Sequence, residues 1–271
     1  MRITKIKSGW ISRSHRAISP FRLVRPTTSQ EAVEALSQSP KSTFIAGGID
    51  LVRRMRSGDE WETIIDVSSI DRMRSITEED GCIKIGALAT HRDIETNVLL
   101  AEKLPDFQAA WTTIGNVRVR IAGTMGGNIL AREASYDGHV ILGVLDAYFV
   151  FCTGEGDITV SAHDCTRAFP AGGLLTSVHI PIVTHRKMFF DRTLKPSVSV
   201  AVSFEKGRYS IGIGCAFPEP LFQIGVGDID ATDISDFLPD PIDNPVGGSA
   251  YRRRMAGVLA TRLKNKILAG I

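Results

Sequence analysis

The sequence has few cysteines, and the four that are present (Cys82, Cys152, Cys165 and Cys215) are far apart. No Cys-x-x-Cys occurs, which excludes the usual spacings of zinc and iron–sulfur ligands within this chain. The six histidines form no group at the spacing of metal ligands or of a catalytic triad. We therefore predict no metal site and no catalytic acid or base, and we expect reduced thiols and a cytoplasmic location.

Excess charge and long apolar runs are also missing. The formal net charge is +2 over 271 residues, and no apolar stretch reaches the roughly 18 residues of a membrane span. Nothing in the sequence has the pattern of a secretory signal peptide. We predict neither a membrane span nor a nucleic-acid partner. Residues 1–20 and the run Tyr251-Arg252-Arg253-Arg254 are basic, so a salt-sensitive affinity for DNA would support the nucleic-acid alternative.

Two glycine-rich segments, Phe44–Leu51 and Ile121–Asn128, are the most informative features that the sequence does contain. Successive amides in such turns form a concavity that favours anions, above all phosphate oxygens. The first segment follows a predicted strand, Ser42–Ile45, and leads into a predicted helix from Asp50. Neither segment has the Gly-x-Gly-x-x-Gly pattern or a P-loop. The residues alone leave two alternatives, tight turns without a ligand and a pair of turns that hold the diphosphate of a dinucleotide.

The remaining pattern predicts an α+β fold. Alternation with period two over Ser197–Phe204, with a return over Tyr209–Ala216, predicts antiparallel strands before a last helix, Ala250–Leu268. Further strands are expected at Thr63–Val67, Met73–Thr77 and Cys82–Gly86, a hairpin at residues 147–162, and helices after Thr28, near Thr90, from Leu104 and from His139.

The order of these motifs resembles the flavin-binding (medium) subunit of molybdenum hydroxylases, the group that includes xanthine dehydrogenase and carbon monoxide dehydrogenase. Residues Ala46-Gly47-Gly48-Ile49-Asp50-Leu51 stand where that family typically has Ala-Gly-Gly-Thr-Asp-Leu. The segment Ile114–Asn128 is similar to its Ile-Gly-x-x-Gln-x-Arg-Asn-x-Gly-Thr-Ile-Gly-Gly-Asn motif. The likeness continues at Ile64–Val67, Ile85–His91 and Gly248–Arg253, and it covers about residues 21–264 in the family's order.

This resemblance implies a fold, a division into domains and a cofactor. It implies an FAD-binding domain of the PCMH type with two α/β subdomains at residues 21–182, after a basic extension at residues 1–20. A C-terminal domain with an antiparallel sheet and helices would follow at residues 183–271. FAD would bind between the two subdomains, with the C-terminal domain beside the isoalloxazine.

The resemblance also assigns cofactor-binding residues. Asp137 matches an acidic residue that hydrogen-bonds the cofactor, Leu175 matches an apolar position near the flavin, and Lys195 lies near a polar position at the flavin edge. The full set of implied FAD-binding residues is Ile45, Ala46, Gly47, Gly48, Ile49, Asp50, Leu51, Ile114, Gly115, Thr124, Gly126, Gly127, Asn128, Asp137, Leu175 and Lys195.

The implied function is electron transfer within an oxidoreductase complex. In this family the substrate is oxidised at a molybdenum cofactor on a large subunit, and electrons cross [2Fe–2S] clusters on a small subunit. The flavin then passes them to NAD or another acceptor. An alternative is a subunit that has kept the fold for assembly but has lost FAD, because Ile49 replaces the usual Thr or Ser and Arg132–Tyr136 replaces a small Asp- and Pro-containing loop. For a third alternative, a stand-alone flavoprotein oxidase, the sequence offers no substrate-facing motif.

Overall fold

Three β-sheets organise the chain in the computed structural model, which describes residues 18–131, 133–165, 169–227 and 238–269. Most of the predicted basic extension therefore lies outside the described residues. Its last part is ordered against the domain, because Ile18 contacts a small core of Leu51, Met55 and Ile64. Among the described residues, no helix has the length and apolar character needed to cross a membrane.

The first sheet is parallel and has three strands, β1 (Arg22–Val24), β2 (Ser42–Ile45) and β3 (Thr63–Asp66), in the order β1-β3-β2. Parallel neighbours need crossover connections, and α1 (Ser29–Ser37) and α2 (Ile49–Ser57) supply them. Helix α1 begins where the sequence predicts, because the Thr28 hydroxyl accepts a hydrogen bond from the Glu31 amide at 3.1 Å. The first glycine segment is the turn between β2 and α2.

The second sheet is antiparallel, with five strands in the order β4-β5-β8-β6-β7. The strands are β4 (Ile76–Glu79), β5 (Cys82–Gly86), β6 (Tyr148–Thr153), β7 (Gly156–Ser161) and β8 (Leu174–Pro181). The predicted strand Met73–Thr77 is wrong in its first half, since Asp71–Arg74 forms a 3₁₀ turn. Met73 is buried there, and its carbonyl accepts a hydrogen bond from the Leu88 amide at 2.8 Å.

A run of short helices connects β5 to β6 and builds the main core against the second sheet. The helices are α3 (His91–Thr96), α4 (Val98–Lys103), α5 (Pro105–Trp111), α6 (Val117–Ala122), α7 (Met125–Leu130) and α8 (Gly138–Gly143), and α9 (Ala162–Cys165) follows β7. Four of them begin at a side-chain cap, from Thr90, Asn97, Asn116 and Thr124. Such caps satisfy the first amides of a helix, so the chain can start several helices in a short space.

The third sheet is antiparallel, in the order β12-β11-β10-β9, and is followed by the long helix α10. The elements are β9 (Lys187–Arg192), β10 (Ser199–Glu205), β11 (Arg208–Gly214), β12 (Leu221–Val226) and α10 (Ser249–Ala269). Val200 and Val202 of β10 join the core beneath α10, whereas Ala201 joins the main core. The third sheet is therefore covered on both faces. These sheets and helices confirm the α+β fold class; the domain limits at residues 21–182 and 183–271 stay a prediction.

Candidate cofactor-binding site

A cleft of about 520 Å³ lies where the two glycine segments meet. It is lined by every residue that the sequence predicts to bind a cofactor, with the exception of Lys195. Lys195 is exposed in the loop after β9, and its neighbour Pro196 lines the cleft instead. Among the described residues, no group of three His, Cys, Asp or Glu side chains could hold a metal ion.

The first glycine turn offers free amides to the cleft. Gly48 precedes α2 with a left-handed φ of 72°, a conformation that a side chain would strain. The amides of Ile49, Asp50 and Leu51 have no acceptor among the described residues, because the first turn of a helix leaves its N–H groups without intrahelical partners. This turn can therefore donate hydrogen bonds to an anion, and the dipole of the nine-residue helix favours a negative charge there.

The second glycine turn is built differently. The amides of Met125 and Gly126 each donate at 2.8 Å to carbonyls of the segment after β5, and the Gly127 amide donates to the Thr124 hydroxyl at 3.1 Å. These amides are already used within the protein. Ile49, Asp50 and Leu51 of the first turn thus keep amides free for an anion, whereas the amides of Met125, Gly126 and Gly127 seat α7 on the core; diphosphate binding itself stays a prediction.

The two turns touch each other at Gly47. A Cβ added there would lie 1.6 Å from the carbonyl oxygen of Ala122, so only glycine allows the first turn to come this close to the second. Gly47 itself is exposed and lines the cleft, and only the side of its Cα on which a Cβ would stand is occupied by Ala122. Its role is to set the distance between the two sides of the cleft.

Asn128 carries a polar atom without a partner. The residue is 8% exposed and lines the cleft, and its carboxamide oxygen is buried with no hydrogen bond from any described residue. A buried acceptor without a donor costs roughly 1–3 kcal/mol. This oxygen faces Gly138, where an added Cβ would lie 2.1 Å from it, so glycine at position 138 leaves room for the Asn128 side chain.

Asp137 lies at the end of the cleft that adjoins the third sheet. It is 1% exposed, and both carboxylate oxygens already accept hydrogen bonds, from Arg192 Nη1 at 2.8 Å and from Cys215 Sγ at 3.3 Å. Arg192 also donates to the Thr113 carbonyl at 2.6 Å. Burial, together with the Asp137 charge, raises the pKa of the Cys215 thiol, so Cys215 is a proton donor here and not a thiolate.

The structure adds cleft residues that the sequence does not mark, among them His91, Tyr136 and Arg192. Burial lowers the pKa of His91 to about 4, and the charge of Arg120 acts in the same direction. Burial raises the pKa of Tyr136. None of the three belongs to a glycine motif. His91 ends the family-like segment Ile85–His91, and Tyr136 ends the divergent segment Arg132–Tyr136, but neither pattern assigned these residues to the cofactor. For Arg192 the chain offers no local signal, so only the tertiary structure brings all three to the cleft.

Two ion pairs of Arg53 connect the first glycine turn to the loop after α7 at the rim of the cleft. Arg53 Nη2 contacts Asp50 at 2.5 Å, at the first glycine turn, and Glu133 at 2.7 Å, in the loop after α7. Glu133 belongs to the segment Arg132–Tyr136, in which the sequence departs from the family pattern. Arg132 itself lies outside the described residues, while Ser135 and Tyr136 line the cleft.

Comparison with known proteins identifies the family and its cofactor. Residues 19–183 match the family described as "FAD binding domain in molybdopterin dehydrogenase". The chain belongs to this family. Its cofactor is FAD, as the resemblance implied, and it is the FAD-binding medium subunit of the molybdenum hydroxylase type.

Two curated relatives are similar to this chain, and one solved structure shares its fold. The chain is 25% identical over 273 residues to the glyceraldehyde dehydrogenase medium chain of Sulfolobus acidocaldarius, covering 89% of this chain and 96% of that one. It is 32% identical over 197 residues to the nicotinate dehydrogenase FAD-subunit of Eubacterium barkeri, with coverage of 67% and 66%. The fold is similar to that of a chain in the structure of reconstituted CO dehydrogenase from Oligotropha carboxidovorans, with a TM-score of 0.84, 24% identity and coverage of 91% and 97%.

Proposed function

We propose that this chain is the electron-transferring flavin subunit of a molybdenum hydroxylase-like oxidoreductase. Its partners would be a large subunit with a molybdenum cofactor, where the substrate is oxidised, and a small subunit with [2Fe–2S] clusters. The bound FAD supplies one- and two-electron redox chemistry, which would connect those clusters to NAD or another acceptor. We place the complex in the cytoplasm. The proposal is supported above all by the cleft, which the free amides of α2 border at the first glycine turn.

The residues that line the cleft form a polar end and an apolar end. We propose that the amides of Ile49–Leu51 bind the diphosphate, because they are the unpaired donors at a helix N-terminus. The apolar side chains of Leu174 and Leu175, at the start of β8, would pack against the isoalloxazine. Arg192 and Pro196 lie on the side of the third sheet, so this sheet would form the wall next to the ring.

This division assigns no acid–base step to the protein. The chain's own residues bind and orient the cofactor, exclude water from the apolar end and hold charges at fixed places. Arg192 is such a charge, since Asp137 and the Thr113 carbonyl fix its guanidinium group. The buried carboxylate of Asp137 balances the charge of this guanidinium group, so the pair presents a fixed dipole to the cleft.

An absorption spectrum of the purified chain, with and without added FAD, tests the cofactor assignment. Bound FAD should give bands at about 370 and 450 nm that disappear on reduction. Addition of NADH then tests the acceptor, because a flavin that exchanges electrons with NAD should be bleached by NADH. If dithionite bleaches the flavin and NADH does not, the acceptor is not NAD. A folded, colourless chain that refuses FAD but still binds its large subunit would support the alternative of an assembly subunit.

A further inference from the structure

We propose that His91 binds the cofactor, as a neutral hydrogen-bond donor that presents Nε2–H to the cleft. The acceptor would be an oxygen in the diphosphate–ribityl segment of FAD. This inference rests on FAD binding in the cleft. It concerns a residue outside both glycine turns, and its basis is the fixed tautomer of the histidine.

The tautomer is set by Trp111. The indole nitrogen of Trp111 lies 2.9 Å from His91 Nδ1. An indole N–H can only donate, so Nδ1 must be the acceptor and cannot carry a proton. A neutral imidazole with a bare Nδ1 carries its proton on Nε2. Trp111 is fully buried in the main core, which holds the arrangement rigidly.

The Nε2–H group lies beside the second glycine turn. The amide of His91 donates to the Gly123 carbonyl at 2.9 Å, which fixes the start of α3 against this turn. A Cβ added at Gly123 would lie 2.9 Å from His91 Cδ2 and 3.1 Å from Nε2, so the ring edge lies directly against the bare backbone of Gly123. His91 lines the cleft, and no described residue accepts a hydrogen bond from Nε2.

The surroundings keep His91 neutral. Arg120, which is 6% exposed, lies next to it and donates to the carbonyls of Trp111, Thr112 and Ile114. Arg120 Nη2 also approaches the His91 carbonyl at 3.4 Å. A second positive charge on the imidazole would be repelled by this guanidinium group and would be poorly solvated. The His91 ring therefore has a single N–H group, at Nε2, and this group can donate a hydrogen bond to a ligand in the cleft.

Two substitutions separate the bond to Trp111 from the bond to the cofactor. In His91→Asn the side-chain oxygen can stand near the position of Nδ1 and accept from Trp111, but no donor reaches the position of Nε2. In His91→Gln the amide can stand near the position of Nε2 and donate to the cleft, while the acceptor for Trp111 is lost. FAD affinity is measured by the change in flavin fluorescence on titration, and folding by urea unfolding of the FAD-free chain.

His91→Asn should weaken FAD binding about five- to tenfold, the usual effect of one lost hydrogen bond, with little loss of stability. His91→Gln should bind FAD within about twofold of the wild type and should lose more stability, because the indole N–H is left buried without an acceptor. In the wild type, the ¹⁵N spectrum of histidine should show a protonated Nε2, whose proton signal shifts when FAD is added.

The result that overturns the inference is distinct from the one that overturns FAD binding. If the wild type binds FAD, while His91→Asn binds it equally well and the Nε2–H signal does not move, His91 is only a structural residue. A proton found on Nδ1 would also overturn it. If the wild type itself binds no FAD, the proposed function fails, and this inference fails with it.

Discussion

The contact between the two glycine turns makes Gly47 the most informative position to change. In Gly47→Ala the new Cβ would lie 1.6 Å from the Ala122 carbonyl oxygen, and real Cβ contacts are practically never shorter than 3.0 Å. The carbonyl or the first turn would have to retreat by about 1.4 Å. Both atoms belong to backbone segments, so no side-chain rotation can relieve the overlap. The methyl group must widen the cleft on the side where α2 presents its amides.

Gly47→Ala should lower both the free energy of unfolding and the affinity for FAD. Inserting a methyl group into a closely packed contact costs about 1–3 kcal/mol of unfolding free energy, and a clash with backbone belongs at the upper end of that range. Displaced amides also lose their hydrogen bonds to the diphosphate, so FAD affinity should fall at least about tenfold, or about 1.4 kcal/mol. Urea unfolding of the FAD-free chain measures the loss of stability, and fluorescence titration with FAD measures the loss of affinity.

Three other glycines serve as controls for Gly47. Gly48→Ala and Gly207→Ala share a positive φ, of 72° and 81°, and should each lose about 1–2 kcal/mol of stability. Only Gly48 lines the cleft, so only that variant can also affect FAD binding. Gly154→Ala, in an open hairpin turn, should be nearly neutral. If Gly47→Ala binds FAD as tightly as Gly154→Ala does, the contact between the turns does not set the geometry of the site.

Three further predictions concern charges around the cleft. Arg192→Met should cost about 2–4 kcal/mol of unfolding free energy, because it leaves the buried carboxylate of Asp137 without its cationic partner. Between pH 6.5 and about 4 the unfolded chain binds a proton at His91 that the folded chain does not. The free energy of unfolding should therefore decrease as the pH falls through this range, by up to about 3 kcal/mol. This contribution to the pH dependence should be missing in His91→Asn. Glu133→Gln should speed FAD release severalfold at low salt and little at high salt, because its ion pair with Arg53 is half-exposed.

Matched variants control for these charge effects. Arg262→Met removes an ion pair at 2.7 Å with Asp191 that is largely open to solvent, so it should cost well under 1 kcal/mol. If Arg192→Met loses no more unfolding free energy than Arg262→Met, the Asp137 carboxylate is not effectively buried. Arg56→Met changes an exposed arginine of the same helix as Arg53, and it should leave FAD release unchanged. Release from Glu133→Gln that stays at the wild-type rate at low salt would mean that the ion pair with Arg53 does not retain the cofactor.

Local chemistry explains why much of this site can be predicted from the sequence. The first glycine turn follows a strand and precedes a helix, and Gly48 has the positive φ that such a turn requires. The strands β10 and β11 follow the alternation that predicts them. Each of these features depends on residues that are neighbours in the sequence, so the order of motifs is sufficient to indicate the family and its cofactor.

The remaining features depend on partners far away in the chain. Met73 was expected in a strand, but its backbone is held by Leu88 in a 3₁₀ turn. The free amides expected at the second glycine turn are consumed by carbonyls of the segment after β5, which no pattern within the turn can reveal. The direction in which His91 presents its proton is set by Trp111, twenty positions later in the chain.

The group around Asp137 couples the cleft to the C-terminal part of the chain. Arg192 ends β9 and Cys215 follows β11, and both donate to the same buried carboxylate at the cleft wall. Cys215 has an unfavourable positive φ of 61°, and Arg252 of α10 holds its carbonyl at 2.6 Å and the Ser197 carbonyl at 2.5 Å. Two hydrogen bonds thus connect α10 to the cleft. Arg252 of α10 donates to the Cys215 carbonyl, and the Cys215 thiol donates to Asp137. Arg192 at the end of β9 lines the cleft, so we expect a change that loosens α10 to disturb the hydrogen bonds around Asp137 at the cleft wall.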